Sequence, residues 1–165
     1  MSTDDPTIFA VMRRSMVARI ATRSCDERPC VTPLYFIYLH GRIWLGTAGW
    51  TLAAHNVRAN PRVNILFEAE QDASAHRVLQ IRGRASVRTE QKIQHSYDLR
   101  ATQKYFLTSS GSHNTLAHIP QLPFMHKYHA QSAEKNSFCV IEVIPEQANF
   151  LNNGMLADSQ TGSLF

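Results

Sequence analysis

At 165 residues with a net charge of +4, this chain has room for one domain around one sizeable core. The positive charge is mild and scattered, without the basic stripe or recognisable module of a nucleic-acid binder, so no nucleic-acid partner is expected. Residues 1–22 carry Arg13, Arg14 and Arg19 and no continuous apolar run, so neither an export signal nor a membrane-spanning helix fits.

In chain order, residues 7–15 follow the start signal Asp4-Asp5-Pro6 and read as a short helix with Ile8, Val11 and Met12 on one face. Residues 16–23 read as a strand, followed by a turn over 24–29. Residues 30–39 are rich in β-branched and aromatic side chains, and His40-Gly41 is a hairpin turn into a strand over 42–47. A helix over 51–59 stops before Asn60-Pro61, because the residue before proline is biased out of helix. A strand over 62–68, a polar turn over 71–75 and a long strand over 77–88 come next. Gly83 inside the last of these predicts a bulge or a close backbone approach. Residues 89–107 carry Ile93, Tyr97, Ala101 and Tyr105 at four-residue spacing, one face of an amphipathic helix ended by the Ser109-Ser110-Gly111-Ser112 run. One or two turns over 114–119 and an irregular connection around Pro120 and Pro123 lead to a last strand over 137–144, terminated by Pro145. Residues 1–151 are expected to form a single domain, and 152–165 a loose tail unless it docks on a partner. Strands joined mostly by hairpin-like turns point to an antiparallel barrel, mainly β with helices, rather than a parallel βαβ sheet.

The chemically most suggestive stretch is 43–67, where a turn of small and hydroxyl residues (Thr47, Ala48, Gly49, Thr51) feeds a helix start. Helix N-termini carry unsatisfied N–H groups and a partial positive charge, so a phosphate-bearing cofactor is one reading. An ordinary connection capped by Thr51 is the other. The lysines are Lys92, Lys104, Lys127 and Lys135, so an anion held by the first 91 residues meets Arg, His or backbone. Three cysteines, Cys25, Cys30 and Cys139, are odd in number and too sparse for a disulfide scaffold, which points to a reducing cytoplasm. His113, His118, His126 and His129 fall between the long helix and the last strand. The His126-x-x-His129 spacing would suit a metal on a helix, but Pro120 and Pro123 oppose a helix there and no metal is expected. The Ser109 to Ser112 run with His113 lacks the strained elbow of a serine nucleophile, and no catalytic residue is assigned.

Several ordered pieces carry a family resemblance: Ala18-Arg19-Ile20-Ala21-Thr22, then the stretch from Arg28 to Phe36; Trp44 to Thr51, then His55 to Val63 with its Asn-Pro-Arg-Val box; Val78 to Ala85; and Val140 to Pro145. Together they resemble the pyridoxamine 5′-phosphate oxidase-like, FMN-binding split-barrel proteins. The resemblance implies a six-stranded antiparallel Greek-key barrel that forms a homodimer, with FMN in grooves at the interface. It implies a cofactor set of Thr32, Pro33, Leu34, Thr47, Ala48, Gly49, Trp50, Thr51, His55, Gln80 and Arg82. In that set Thr51 gives a hydroxyl to the phosphate, and Pro33 and Leu34 face the isoalloxazine. Which of Gln80 and Arg82 points inward depends on register. Trp50 and Tyr35 are apolar walls of the flavin site or interface and core aromatics. The implied function is an FMN-dependent oxidoreductase with a small-molecule substrate. A non-catalytic carrier or sensor of flavin, deazaflavin F420 or haem is the alternative. The family commonly places a basic pair after the helix-starting hydroxyl, where this chain has Leu52 and Ala53. Two lost charge-assisted hydrogen bonds, each roughly 1.5–3 kcal/mol, would weaken phosphate binding by about two to four powers of ten. Either His55 or Arg58 compensates, or FMN binds weakly, or another ligand takes the groove.

Overall fold

The computed structural model describes residues 6–68, 77–107, 137–152, 155–156 and 162–163. Along the chain these form α1 (Pro6–Arg14), β1 (Val17–Arg23), β2 (Pro29–Leu39), β3 (Arg42–Ala48), α2 (Leu52–Ala59), β4 (Arg62–Glu68), β5 (Arg77–Arg88), α3 (Gln91–Phe106), β6 (Phe138–Asn152), β7 (Met155–Leu156) and β8 (Gly162–Ser163). The expected turn over 71–75, the run Ser109 to Ser112, the turns over 114–119 and His113, His118, His126 and His129 lie outside the described residues.

Six strands close into the expected antiparallel barrel. Their order is β3-β2-β1-β4-β5-β6, and β6 pairs back onto β3. Strict alternation builds the core face: Ala18, Ile20 and Thr22 on β1 and Val63, Ile65 and Phe67 on β4 point inward. α1 closes one end with Ile8 and Met12, and α2 adds Ala53 and Val57. In the β2–β3 hairpin, His40 and Gly41 both take positive φ, 50° and 73°, as a two-residue turn with the right twist requires.

The last strand departs from expectation. β6 runs through Pro145 to Asn152 instead of ending at the proline. Pro145 stands opposite Gly83, where the β5–β6 register slips, so the ladder is interrupted where the missing N–H would fall. A Cβ on Gly83 would run into the Ile144 carbonyl oxygen, so the bulge needs glycine on the facing strand. The tail also differs: β7 and β8 each pair with β6, which extends the sheet beyond the expected boundary at 151.

α3 covers the outside of β2, β3 and β6 with the face set by its four-residue spacing. Tyr97 packs with Ile37 and Val140, flanked by Ile93, Ala101, Trp44 and Phe138. Gly46 allows this approach, since a Cβ there would stand 2.5 Å from the Tyr97 hydroxyl. That hydroxyl donates to the Tyr35 carbonyl at 3.1 Å. Farther along, the Tyr105 hydroxyl accepts from the Phe36 N–H at 2.9 Å. It lies 2.8 Å from the Met16 carbonyl and 2.9 Å from the Phe36 carbonyl, two acceptors that share its one proton, so the hydroxyl ties α3 to β2 and to the link before β1. Tyr105→Phe strands buried backbone groups and should cost about 1–3 kcal/mol. Thermal melting would show this as a drop of several degrees; an unchanged Tm would mean that α3 is held by its apolar face alone.

Candidate functional site

The bend between β3 and α2 is built by the helix start itself. Thr51 holds extended backbone (φ −71°, ψ 154°) and its side-chain oxygen accepts from the Ala54 N–H at 3.4 Å, an N-cap. The same oxygen lies 2.8 Å from the Ala48 carbonyl and 3.0 Å from Thr47 Oγ1, so two hydroxyls stand side by side on the bend. Thr47 is buried and Ala48 fully so. The Gly49 N–H donates to the Ser137 carbonyl at 2.7 Å and the Thr51 N–H to the Ala48 carbonyl at 3.0 Å. Trp50 projects outward, 54% exposed, at the apex.

Charge reaches the bend from the other end of α2. Arg58 lies seven residues after Thr51, two helical turns on and so on the same face. Its Nη1 donates to the Gly49 carbonyl at 2.7 Å. Its Nη2 would be 3.3 Å from a Cβ on Gly49, so the absence of a side chain there lets the guanidinium lie against the turn. The positive charge is felt on β6 as well: burial pushes the Cys139 thiol up, and Arg58 acts in the opposite sense. Cys139 is the cross-strand neighbour of Thr47, which places all three side chains around one point. Asn56, buried on the other side of α2, donates to Thr22 Oγ1 at 3.0 Å and fixes the helix against β1.

His55 goes elsewhere. It is exposed, and its Nε2 lies 3.9 Å from Cys25 Sγ in the β1–β2 turn. Leu52 is 54% exposed and Ala53 fully buried, so the first turn of α2 holds no cation.

The other expected residues lie on the barrel wall. Thr32 pairs with Ile20 and Leu34 with Ala18, so both side chains turn toward the core side, whereas Pro33 pairs with Arg19 and faces out. Side chains of Pro33 and Leu34 therefore cannot meet one flat group together. Gln80 and Arg82 share the outer face, because Leu79 and Ile81 fill the core. Pro33, Arg19, Leu66 and Gln80 form one cross-strand row. Gln80 thus stands three strands from Pro33, about 14 Å at normal strand spacing, with the Thr47–Thr51 bend beyond Pro33 on the far side of β2. The expected set falls into two patches on one chain.

One feature of that outer wall bears on assembly. Val31 is 62% exposed and Pro33 and Tyr35 are also exposed, an apolar strip along β2. The side-chain oxygens of Asn64 and Asn149, which flank the row on β4 and β6, are buried and have no hydrogen-bond partner among the described residues.

A family model described as pyridoxamine 5′-phosphate oxidase matches residues 5–152. Among solved structures, a conserved hypothetical protein of Mycobacterium tuberculosis is 21% identical with a TM-score of 0.67, over 97% of this chain and 93% of that one. A haem storage protein of Vibrio cholerae is 17% identical with a TM-score of 0.63, over 99% and 98%. An F420 reductase is 18% identical with a TM-score of 0.58, over 84% and 93%. These likenesses show the fold. Comparison with curated proteins finds no match. Among the described residues, no helix is long and apolar enough to cross a membrane.

Proposed function

Because this chain belongs to the pyridoxamine 5′-phosphate oxidase family, whose model spans residues 5–152, we propose that it is an FMN-dependent oxidoreductase acting on a small substrate as a homodimer. The observation that carries the reading is the Arg58 guanidinium folded back on the Gly49 carbonyl beside the paired hydroxyls of Thr47 and Thr51. Two hydroxyls, a glycine in the turn and a forked cation fit a phosphate end, and they stand in for the basic pair that Leu52 and Ala53 do not supply. When bound, flavin supplies the hydride and electron chemistry. This chain would hold the phosphate through Thr47, Thr51 and Arg58 and shield one side of the ring with Pro33 and Trp50.

The division into two patches supports the homodimer. Gln80 and Arg82 lie too far from the bend to serve the same groove from one chain, and a second copy seated on the β2 strip would bring its own pair across. Three free cysteines suit a reducing cytoplasm, where we place the protein.

An absorbance scan of the purified protein and a titration with FMN test the reading, followed by bleaching of the bound flavin with NADH or NADPH. Thr51→Ala should weaken FMN about tenfold or more, the loss of one hydrogen bond to a charged acceptor. It also removes a helix cap worth about 1 kcal/mol, so Thr51→Ser, which keeps hydroxyl and cap, is the control and should bind normally. Equal affinity in Thr51→Ala would move the phosphate off the bend. A dimer that stays colourless and takes up neither FMN, F420 nor haem would sink the proposal.

A second reading is favoured by one observation, the lack of any cation on the first turn of α2. On that reading the groove carries flavin, F420 or haem without turnover, in line with the shared fold of the haem storage protein and the F420 reductase. Bound flavin that no nicotinamide bleaches would select it.

A further inference from the structure

Away from the bend, α1, the second half of β2 and α3 line an open cavity of about 710 Å³. Its wall holds four cationic side chains, Arg13 and Arg14 from the last turn of α1 and Arg100 and Lys104 from α3, and among the described residues that line it there is no Asp or Glu. Between them lie Phe9, Phe36 and Tyr38. Phe9 meets Tyr38 edge-on, with ring centroids 6.3 Å apart. The Lys104 ammonium sits 3.3 Å above the Phe36 ring and 3.3 Å from the Met12 carbonyl, so it is held at the floor between α1 and the sheet. Arg100 is steadied by Gln103, to which its Nη1 donates at 3.2 Å. None of these residues belongs to the bend, and the cavity stands whether or not FMN binds there.

Concavity and volume are those of a small-molecule site rather than of a flat protein interface. We propose that this cavity binds a small organic anion, with a carboxylate or phosphate held by Arg13 and Arg100 and a flat aromatic body laid against Phe9 and Tyr38. A guanidinium fork suits either acid, and the aromatic wall excludes a bare inorganic ion as the best ligand.

Fluorescence titration with 2-naphthyl phosphate, 2-naphthoate and neutral 2-naphthol tests this on the wild-type protein and on the double variant Arg13→Gln/Arg100→Gln. Both variant positions are exposed, so folding should survive, and an unchanged Tm verifies it. Saturable binding of at least one acid, with naphthol tenfold weaker or silent, is expected. The double variant should lose at least tenfold, and Phe9→Ala should weaken the naphthyl acids. Comparing the two acids separates a phosphate ligand from a carboxylate one. Absence of saturation by both acids at millimolar concentration overturns the proposal, as does equal binding by the double variant. Binding that Arg58→Ala abolishes while the double variant keeps it also overturns it, and places the anion on the bend.

Discussion

Arg58→Ala is expected to raise the dissociation constant for FMN about tenfold to a hundredfold. The guanidinium is the one cation that the described residues bring onto the Thr47–Thr51 bend, where it donates to the Gly49 carbonyl at 2.7 Å. A hydrogen bond to a charged group contributes roughly 1.5–3 kcal/mol, which sets that range. Arg58→Lys should fall between, because an ammonium keeps the charge and loses the fork. The loss should shrink at high salt, since Arg58 is exposed and screened. His55→Ala is the counter-test. Its imidazole lies against Cys25, so FMN affinity should not change. If His55→Ala costs affinity and Arg58→Ala does not, the cation has been assigned to the wrong face of α2. Equilibrium titration with FMN, followed by flavin fluorescence, reads both variants directly.

Gly83→Ala should produce the largest loss of stability from a single methyl group. A Cβ there falls inside van der Waals contact with the Ile144 carbonyl oxygen and 3.1 Å from Val143 Cγ1. The first obstacle is backbone, so no rotamer change relieves it, and β5 and β6 must part at their bulge. Overpacking of this kind costs about 1–3 kcal/mol, and a backbone clash belongs at the upper end. For a chain of this size each kcal/mol lowers Tm by about 2–4 °C, so a drop of about 6–12 °C is expected by calorimetry. Arg84→Ala on the neighbouring exposed position removes only a surface ion pair to Glu146 and should leave Tm nearly unchanged. Equal melting of both variants would mean that the strands separate at no cost and that the bulge does not depend on glycine.

Much of this molecule is local in origin, and local features are what a sequence displays. The helix at 52–59, its Thr51 cap and its stop at Asn60-Pro61 follow from capping and proline geometry within a few residues. The His40-Gly41 hairpin, the buried face of α3 and the inward residues of β1 and β4 follow from turn chemistry and periodicity. Gly83 was equally legible as a bulge or a close backbone approach, and it is the close approach, facing the bulge on β6.

What stayed hidden depends on partners distant in sequence. Pro145 reads as a strand terminator until the slip opposite Gly83, sixty-odd residues earlier, makes it harmless. Whether Arg58 or His55 serves the bend turns on how α2 seats against β1, which Asn56 and Thr22 settle through a buried hydrogen bond. That Gln80 and Arg82 share an outer face, away from the bend, is a matter of register around a closed barrel. Short-range sterics and hydrogen bonding set the elements, so the chain order carries them. The site is set by where strands and helices meet, and only the packed core decides that.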